Sequence, residues 1–176
     1  MMTSPEPHIF TRPAEGRACG ACTLCCKVIG IGELEKPAGA WCPHCRIGRG
    51  CGIYETRPQE CRTFFCMWLA DARLSDEWKP DTSKMVVTTA DDGRTVEIRC
   101  DPGFPQAWRR EPYRSQISQW VEAARPYDGM VIVAVGRRVT LVAVEGEFPL
   151  GIMADDDRIA REVSDHRLLS VRLVKK

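Results

Sequence analysis

The spacing Cys19-x2-Cys22-x2-Cys25-Cys26, followed by Cys42-Pro43-His44-Cys45, Cys51, Cys61 and Cys66, constrains this chain more than any other feature. Nine of the ten cysteines fall between residues 19 and 66. A two-residue spacer lets both sulfurs of a knuckle reach one ion, and thiolates are the soft ligands that zinc and iron–sulfur clusters take. Cys19/Cys22 and Cys42/Cys45 are two such knuckles. Because Cys22-x2-Cys25 overlaps the first, Cys19, Cys22 and Cys25 could also hold three corners of a cubane cluster. With Cys26, Cys51, Cys61 and Cys66 available, the count suits two four-ligand sites or one polynuclear site with shared ligands, and all nine are candidate metal ligands.

Disulfides are the rival use of so many cysteines, and compartment decides between the two. The first residues lack the charged start and apolar run of a secretory signal, and no stretch approaches the ~18 apolar residues of a membrane span. The expectation is a cytoplasmic protein without a membrane segment, where thiols stay reduced and a dense cysteine pattern binds metal. The window holds an odd number of cysteines, and the adjacent pair Cys25-Cys26 is awkward to join to itself. Zn2+ is the preferred ion, because closed four-thiolate sites can be made with sulfur to spare; Fe or an iron–sulfur cluster is the alternative.

Overall charge points to no partner, since 25 Lys and Arg stand against 24 Asp and Glu. No net field favours nucleic acid or an anionic membrane. Locally, residues 17–68 carry seven cations (Arg17, Lys27, Lys36, Arg46, Arg49, Arg57, Arg62) and four acids, a surplus that can offset anionic thiolate sites.

These residues resemble the CxxCxxCC proteins, bacterial cysteine-cluster proteins of the YkgJ type, described as zinc- or iron-chelating. The likeness covers about residues 17–68 and rests on Cys19-x2-Cys22-x2-Cys25-Cys26 and on Gly50-Cys51-x-Ile53-Tyr54-Glu55-x-Arg57-Pro58-x2-Cys61-Arg62-x-Phe64-x-Cys66. It implies metal or cluster binding and no particular reaction, and it does not reach the C-terminal half.

Along the chain, residues 1–16 read as a mobile arm and His8 as solvated. Residues 17–74 form the cysteine-rich domain, with too little apolar material for a core of its own; a small core supplies about 3–5 kcal/mol, against about 10–16 kcal/mol for a structural zinc site. One helix is expected there, beginning after Thr56 with Pro58 in its first turn and apolar residues at Phe64, Phe65, Trp68, Leu69 and Ala72. On such a helix Cys61 and Cys66 stand about 140° apart, which would send them to different ions or leave one of them as packing.

A linker over 75–83 leads to a small domain at 84–176. Its expected parts are a hairpin across Asp91-Asp92-Gly93, a helix over 112–125, a second hairpin over 130–135 and 139–144, a short helix over 155–165 and a last strand over 170–174. The fold class is therefore α+β: a metal-stabilised cysteine cluster with one helix, followed by a mainly antiparallel sheet with helices on one face. Cys100, on an alternating strand, reads as a buried small residue.

Other readings are weaker. Trp41-Cys42-Pro43-His44-Cys45 also looks like the redox motif of thioredoxin-like oxidoreductases, but no buried strand precedes it and no helix pattern follows. His44 could replace a thiolate, though knuckle interiors more often point outward. His166 reads as solvated, Asp155-Asp156-Asp157 as a helix start, and Trp108–Arg114 as a solvated basic stretch. No catalytic constellation is legible; an enzyme would take the form of an iron–sulfur oxidoreductase. Partners are metal ions and, through the C-terminal domain, a protein.

Overall fold

The computed structural model describes residues 12–90, 93–154 and 156–175. His8, Asp91, Asp92, Asp155 and most of the expected arm lie outside them. The described end of that arm is docked: the Ala14 amide donates to the Leu69 carbonyl at 2.9 Å.

Through the cysteine-rich part the regular pieces are short. They are α1 (Cys25–Val28), a 3-10 turn at Gly32–Leu34, β1 (Cys45–Arg46), β2 (Gly50–Cys51), a 3-10 turn at Tyr54–Thr56, α2 (Gln59–Thr63) and α3 (Met67–Ala70). The single helix expected after Thr56 is thus two helices. The Thr63 hydroxyl donates back to the Gln59 carbonyl at 3.1 Å, a bond that competes with the helix ladder. Phe64 and Cys66 then take extended backbone, and half-buried Phe64 and Phe65 turn onto the core. With the axis broken, the 140° argument separating Cys61 from Cys66 no longer applies.

The linker expected at 75–83 is also structured. It forms a 3-10 turn at Asp76–Trp78 and α4 (Pro80–Ser83), with Pro in its first turn, where the missing N–H costs nothing. Trp78 is only 4% exposed. Its ring meets Tyr113 edge-on at 4.9 Å and lies tilted against Trp120 at 4.7 Å, which anchors the segment to the helix beyond.

The C-terminal half contains β3 (Met85–Thr89), β4 (Thr95–Cys100), a 3-10 turn at Ala107–Arg109, α5 (Tyr113–Ala124), β5 (Met130–Val135), β6 (Arg138–Ala143), β7 (Gly146–Ile152), β8 (Arg158–Ser164) and β9 (Arg167–Val174). Strands β3-β4-β5-β6-β7 pair in that order. All of these pairings are antiparallel except β4 with β5, which run parallel because α5 carries the chain back between them. The protein is α+β with a mainly antiparallel sheet, as expected. The helix expected over 155–165 is instead β8, paired with β9. Its intended first turn is lost because the Asp157 carboxylate accepts the Ala154 amide at 2.7 Å and the Lys175 ammonium at 2.6 Å, closing a turn.

Cross-strand register places Val96, Ile98 and Cys100 on the same face as Val131, Val133 and Val135. Among the described residues, one hydrophobic cluster joins that face to α5, Trp78 and Trp108, and continues into Leu24, Val28 and Met67–Leu69 of the cysteine-rich part. The two halves therefore share a core, and the first is not without apolar support. No helix among the described residues is long and apolar enough to cross a membrane.

Candidate metal centre

Leu24 and Val28, one helical turn apart, are buried in the shared core and leave Cys25 and Cys26 half-buried on the rest of α1. Just before them, the Cys22 amide donates to the Cys19 carbonyl at 2.9 Å, which closes the first knuckle. The second is closed the same way, from the Cys45 amide to the Cys42 carbonyl at 3.0 Å. A bond of 2.9 Å from the Cys42 amide to the Cys26 carbonyl fastens this knuckle onto α1. In the β1–β2 ladder Cys45 stands opposite Cys51.

Two glycines make this fit achievable. The Gly52 amide donates to the His44 carbonyl at 2.8 Å, and a Cβ there would sit 2.9 Å from that same oxygen. Gly50 has a φ of +104°, and a Cβ on it would press on the Gly20 carbonyl at 3.4 Å. Buried Thr23 completes the joint: its hydroxyl accepts the Gly48 amide at 3.2 Å and hydrogen-bonds Cys45. From below, α2 brings Cys61, held by paired contacts with the Gly32–Leu34 turn. Gly32 donates to the Glu60 carboxylate at 2.9 Å and the Glu60 amide to the Glu33 carboxylate at 3.0 Å.

The sulfurs fall into two neighbourhoods. Cys26 hydrogen-bonds Cys25 and Cys45, and the charge on Cys61 would be felt by Cys26, Cys42 and Cys51. The second neighbourhood is Cys19, Cys22 and Cys66, which interact with one another, with Cys19 also sensing Cys26. Among the described residues no three His, Cys, Asp or Glu side chains meet as a ready-made ion cage.

Most of these groups hold their protons tightly. Burial pushes the Cys66 and Cys45 thiols up to about 11, and Cys19, Cys22 and Cys61 are raised chiefly by burial too. Cys26 is raised furthest, first by its hydrogen bond with Cys25 and then by burial. Each is a thiol that a bound cation would deprotonate, because the ion's own charge overrides burial. The chemistry of the donors fits a thiophilic ion.

Three basic residues hold this region together, and cysteine spacing pointed to none of them. Lys36 is buried, and its ammonium donates to the carbonyls of Lys27 and Pro37, both at 3.1 Å, and to that of Ile29. Burial lowers its pKa, opposed by the nearby Cys42, Cys26, Cys25 and Cys61. Arg17 donates to the carbonyls of Asp71 at 2.6 Å, of Trp68 and of Leu74. It thereby caps α3 and ties the chain beside Cys19 to the helix that begins after Cys66. Lys27 pairs with Asp101 at 2.6 Å, joining α1 to the end of β4.

His44 is exposed, as is His166, whose imidazole is 3.9 Å from Asp128. Cys100 is 1% exposed, inside the core and raised to about 12 by burial. No family model, curated protein or solved structure matches this chain.

Proposed function

We propose that the chain is a metal-binding cysteine-cluster protein, zinc- or iron-chelating, of the CxxCxxCC type. The metal is mainly structural or chelated, and Zn2+ is preferred. The observation that carries this reading is the grouping of Cys25, Cys26, Cys42 and Cys61 about one buried ammonium, Lys36, with Cys45 beside Cys26 and Cys51 beside Cys61. Protonated thiols gain little by converging, since S–H is a weak donor; an ion would supply the attraction and expel the protons. Cys19, Cys22 and Cys66 are the sulfurs of a second site.

In this reading the metal contributes charge and cross-linking, while Lys36, Arg17 and Thr23 hold the loops that present the sulfurs. The protein works in the cytoplasm, and its C-terminal domain meets a protein partner.

A second reading is an iron–sulfur redox or accessory protein. It is favoured by the Cys19/Cys22/Cys25 run and by Phe64, Phe65 and Trp68 packed beside Cys66, which would shield a cluster from water. Anaerobic purification followed by elemental analysis and a visible spectrum separates the two. Colourless protein with stoichiometric zinc supports the first reading. Brown, bleachable protein with iron and acid-labile sulfide replaces it with the second, and protein free of bound transition metal sinks both.

A further inference from the structure

Away from the cysteines, the helix-bearing face of the sheet is only partly covered. The Ala107–Arg109 turn packs over the strands near β5, and the sheet continues past it. Register puts Val133 opposite Thr140, and both Val135 and Ile152 opposite Arg138, so all five share this face. They line a groove of about 400 Å3 whose wall is the Trp108–Arg109 turn. That volume lies within the ~300–1,000 Å3 usual for small-molecule sites.

The lining has an apolar floor and a basic rim. Val133 is 2% exposed and Ile152 is 57% exposed, a large apolar side chain left at the edge. Three guanidinium groups, Arg109, Arg137 and Arg138, border the groove, and no carboxylate lines it. Arg109 is committed: it stacks on Trp108 at 4.0 Å, donates to Gln106 at 2.6 Å and pairs with Glu147. Arg137 spends its Nε on the Met153 carbonyl at 3.2 Å and keeps its terminal nitrogens. Arg138 has no ion-pair partner among the described residues.

We propose that this groove binds a small anionic molecule with an apolar body. Its carboxylate, sulfonate or phosphate is held by Arg138 and Arg137, and its apolar part lies over Val133, Val135 and Ile152. A guanidinium presents paired donors that match such oxyanions, whereas half-buried Val135 and exposed Ile152 gain from excluding water and supply no competing acceptor. Thr140 lies within the lining beside Val133. This site is independent of the metal reading, since none of its residues belongs to the cysteine-rich part.

The full-length protein titrated with 8-anilinonaphthalene-1-sulfonate, and in parallel with the uncharged N-phenyl-1-naphthylamine, tests the assignment. The sulfonate is expected to bind saturably at one equivalent. Arg138→Glu should weaken it at least ten-fold and the uncharged probe less than two-fold. Arg114→Glu, on the exposed side of α5, should change neither, and Thr140→Trp, which fills the floor, should remove both. Equal sulfonate affinity in wild type and Arg138→Glu, a surface change that leaves the core intact, overturns the proposal. So does the absence of saturable binding to the wild type.

Discussion

In the sheet, Met85, Val86 and Ile98 are wholly buried, Ile98 on a strand paired on both sides and Met85 and Val86 on the edge strand beside it. In residues 17–66, by contrast, the deeply buried apolar side chains are few, chiefly Leu24, Val28 and Ile31, and the half-buried positions are filled by sulfur. The contrast is one of degree, since α1 and α3 lean on the same core as the sheet. What it teaches is where each part draws its stability. The strands and α3 stay folded by excluding water, whereas the knuckles are tied by a handful of backbone bonds and by Lys36 and, in the proposed reading, depend on what their sulfurs hold.

That comparison can be broken from either side. The largest effect is expected in the sheet: Ile98→Ala should cost about 2–5 kcal/mol in urea unfolding while leaving the metal-to-protein ratio of the folded protein unchanged. A fall in that ratio would mean that the two regions do not separate as described. Next comes pH. The Cys45 and Cys66 thiols are raised to about 11, so protons compete with metal throughout the neutral range and affinity falls as pH falls. Each thiol deprotonated on binding contributes about ten-fold per pH unit. Competition with a chelator at pH 8 and pH 6 should therefore show at least a hundred-fold weakening at the lower pH; a flat profile would remove the thiols as ligands.

A smaller loss is expected from Arg17→Ala. It strips α3 of its charged cap and should cost about 1–3 kcal/mol, read as faster amide exchange at Ala14 and over 67–71 with β3–β6 unaltered. The smallest effect concerns Cys100. Burial raises it to about 12, so between its unfolded value and pH 12 the folded state holds a proton that the unfolded state releases. Stability is complete below about pH 8.5 and is lost as pH rises, on the order of 1 kcal/mol per unit. Cys100→Ala should make that slope shallower by one thiol's share in unfolding curves taken from pH 9 to pH 11, the other raised thiols keeping theirs.

Strands β3, β4, β5 and β6 were legible because Val96, Ile98 and Cys100 alternate and Met130–Val135 runs apolar, and α5 because Tyr113, Ile117 and Val121 recur at helical spacing. Strand β7 was hidden by Pro149 and by the glycines at 146 and 151, which the ladder tolerates at a bulge near β6. Strand β8 was hidden because Asp155-Asp156-Asp157 imitates a helix start while Asp157 actually closes a turn. In the candidate site, the cysteines announced themselves by spacing. Their grouping did not, because it depends on contacts far apart in sequence: Arg17 on α3, Thr23 on the β1–β2 loop, Glu60 on Gly32. Lys36 showed in the sequence only as one of seven cations in the cysteine window, and the burial beside the sulfurs that singles it out did not show.

The central claim is that bound metal, and not the shared core, keeps the knuckles ordered. Amide hydrogen exchange on the protein as purified anaerobically, and again after a strong chelator has removed its metal, tests this most directly. The account predicts that protection is lost at Cys45 and Gly52, whose amides bond within the second knuckle and to it, and at Cys42, whose amide ties that knuckle to α1, while the amides of Val86 and Ile98 keep theirs. Unchanged protection at Cys42 and Gly52 in the stripped protein would contradict it.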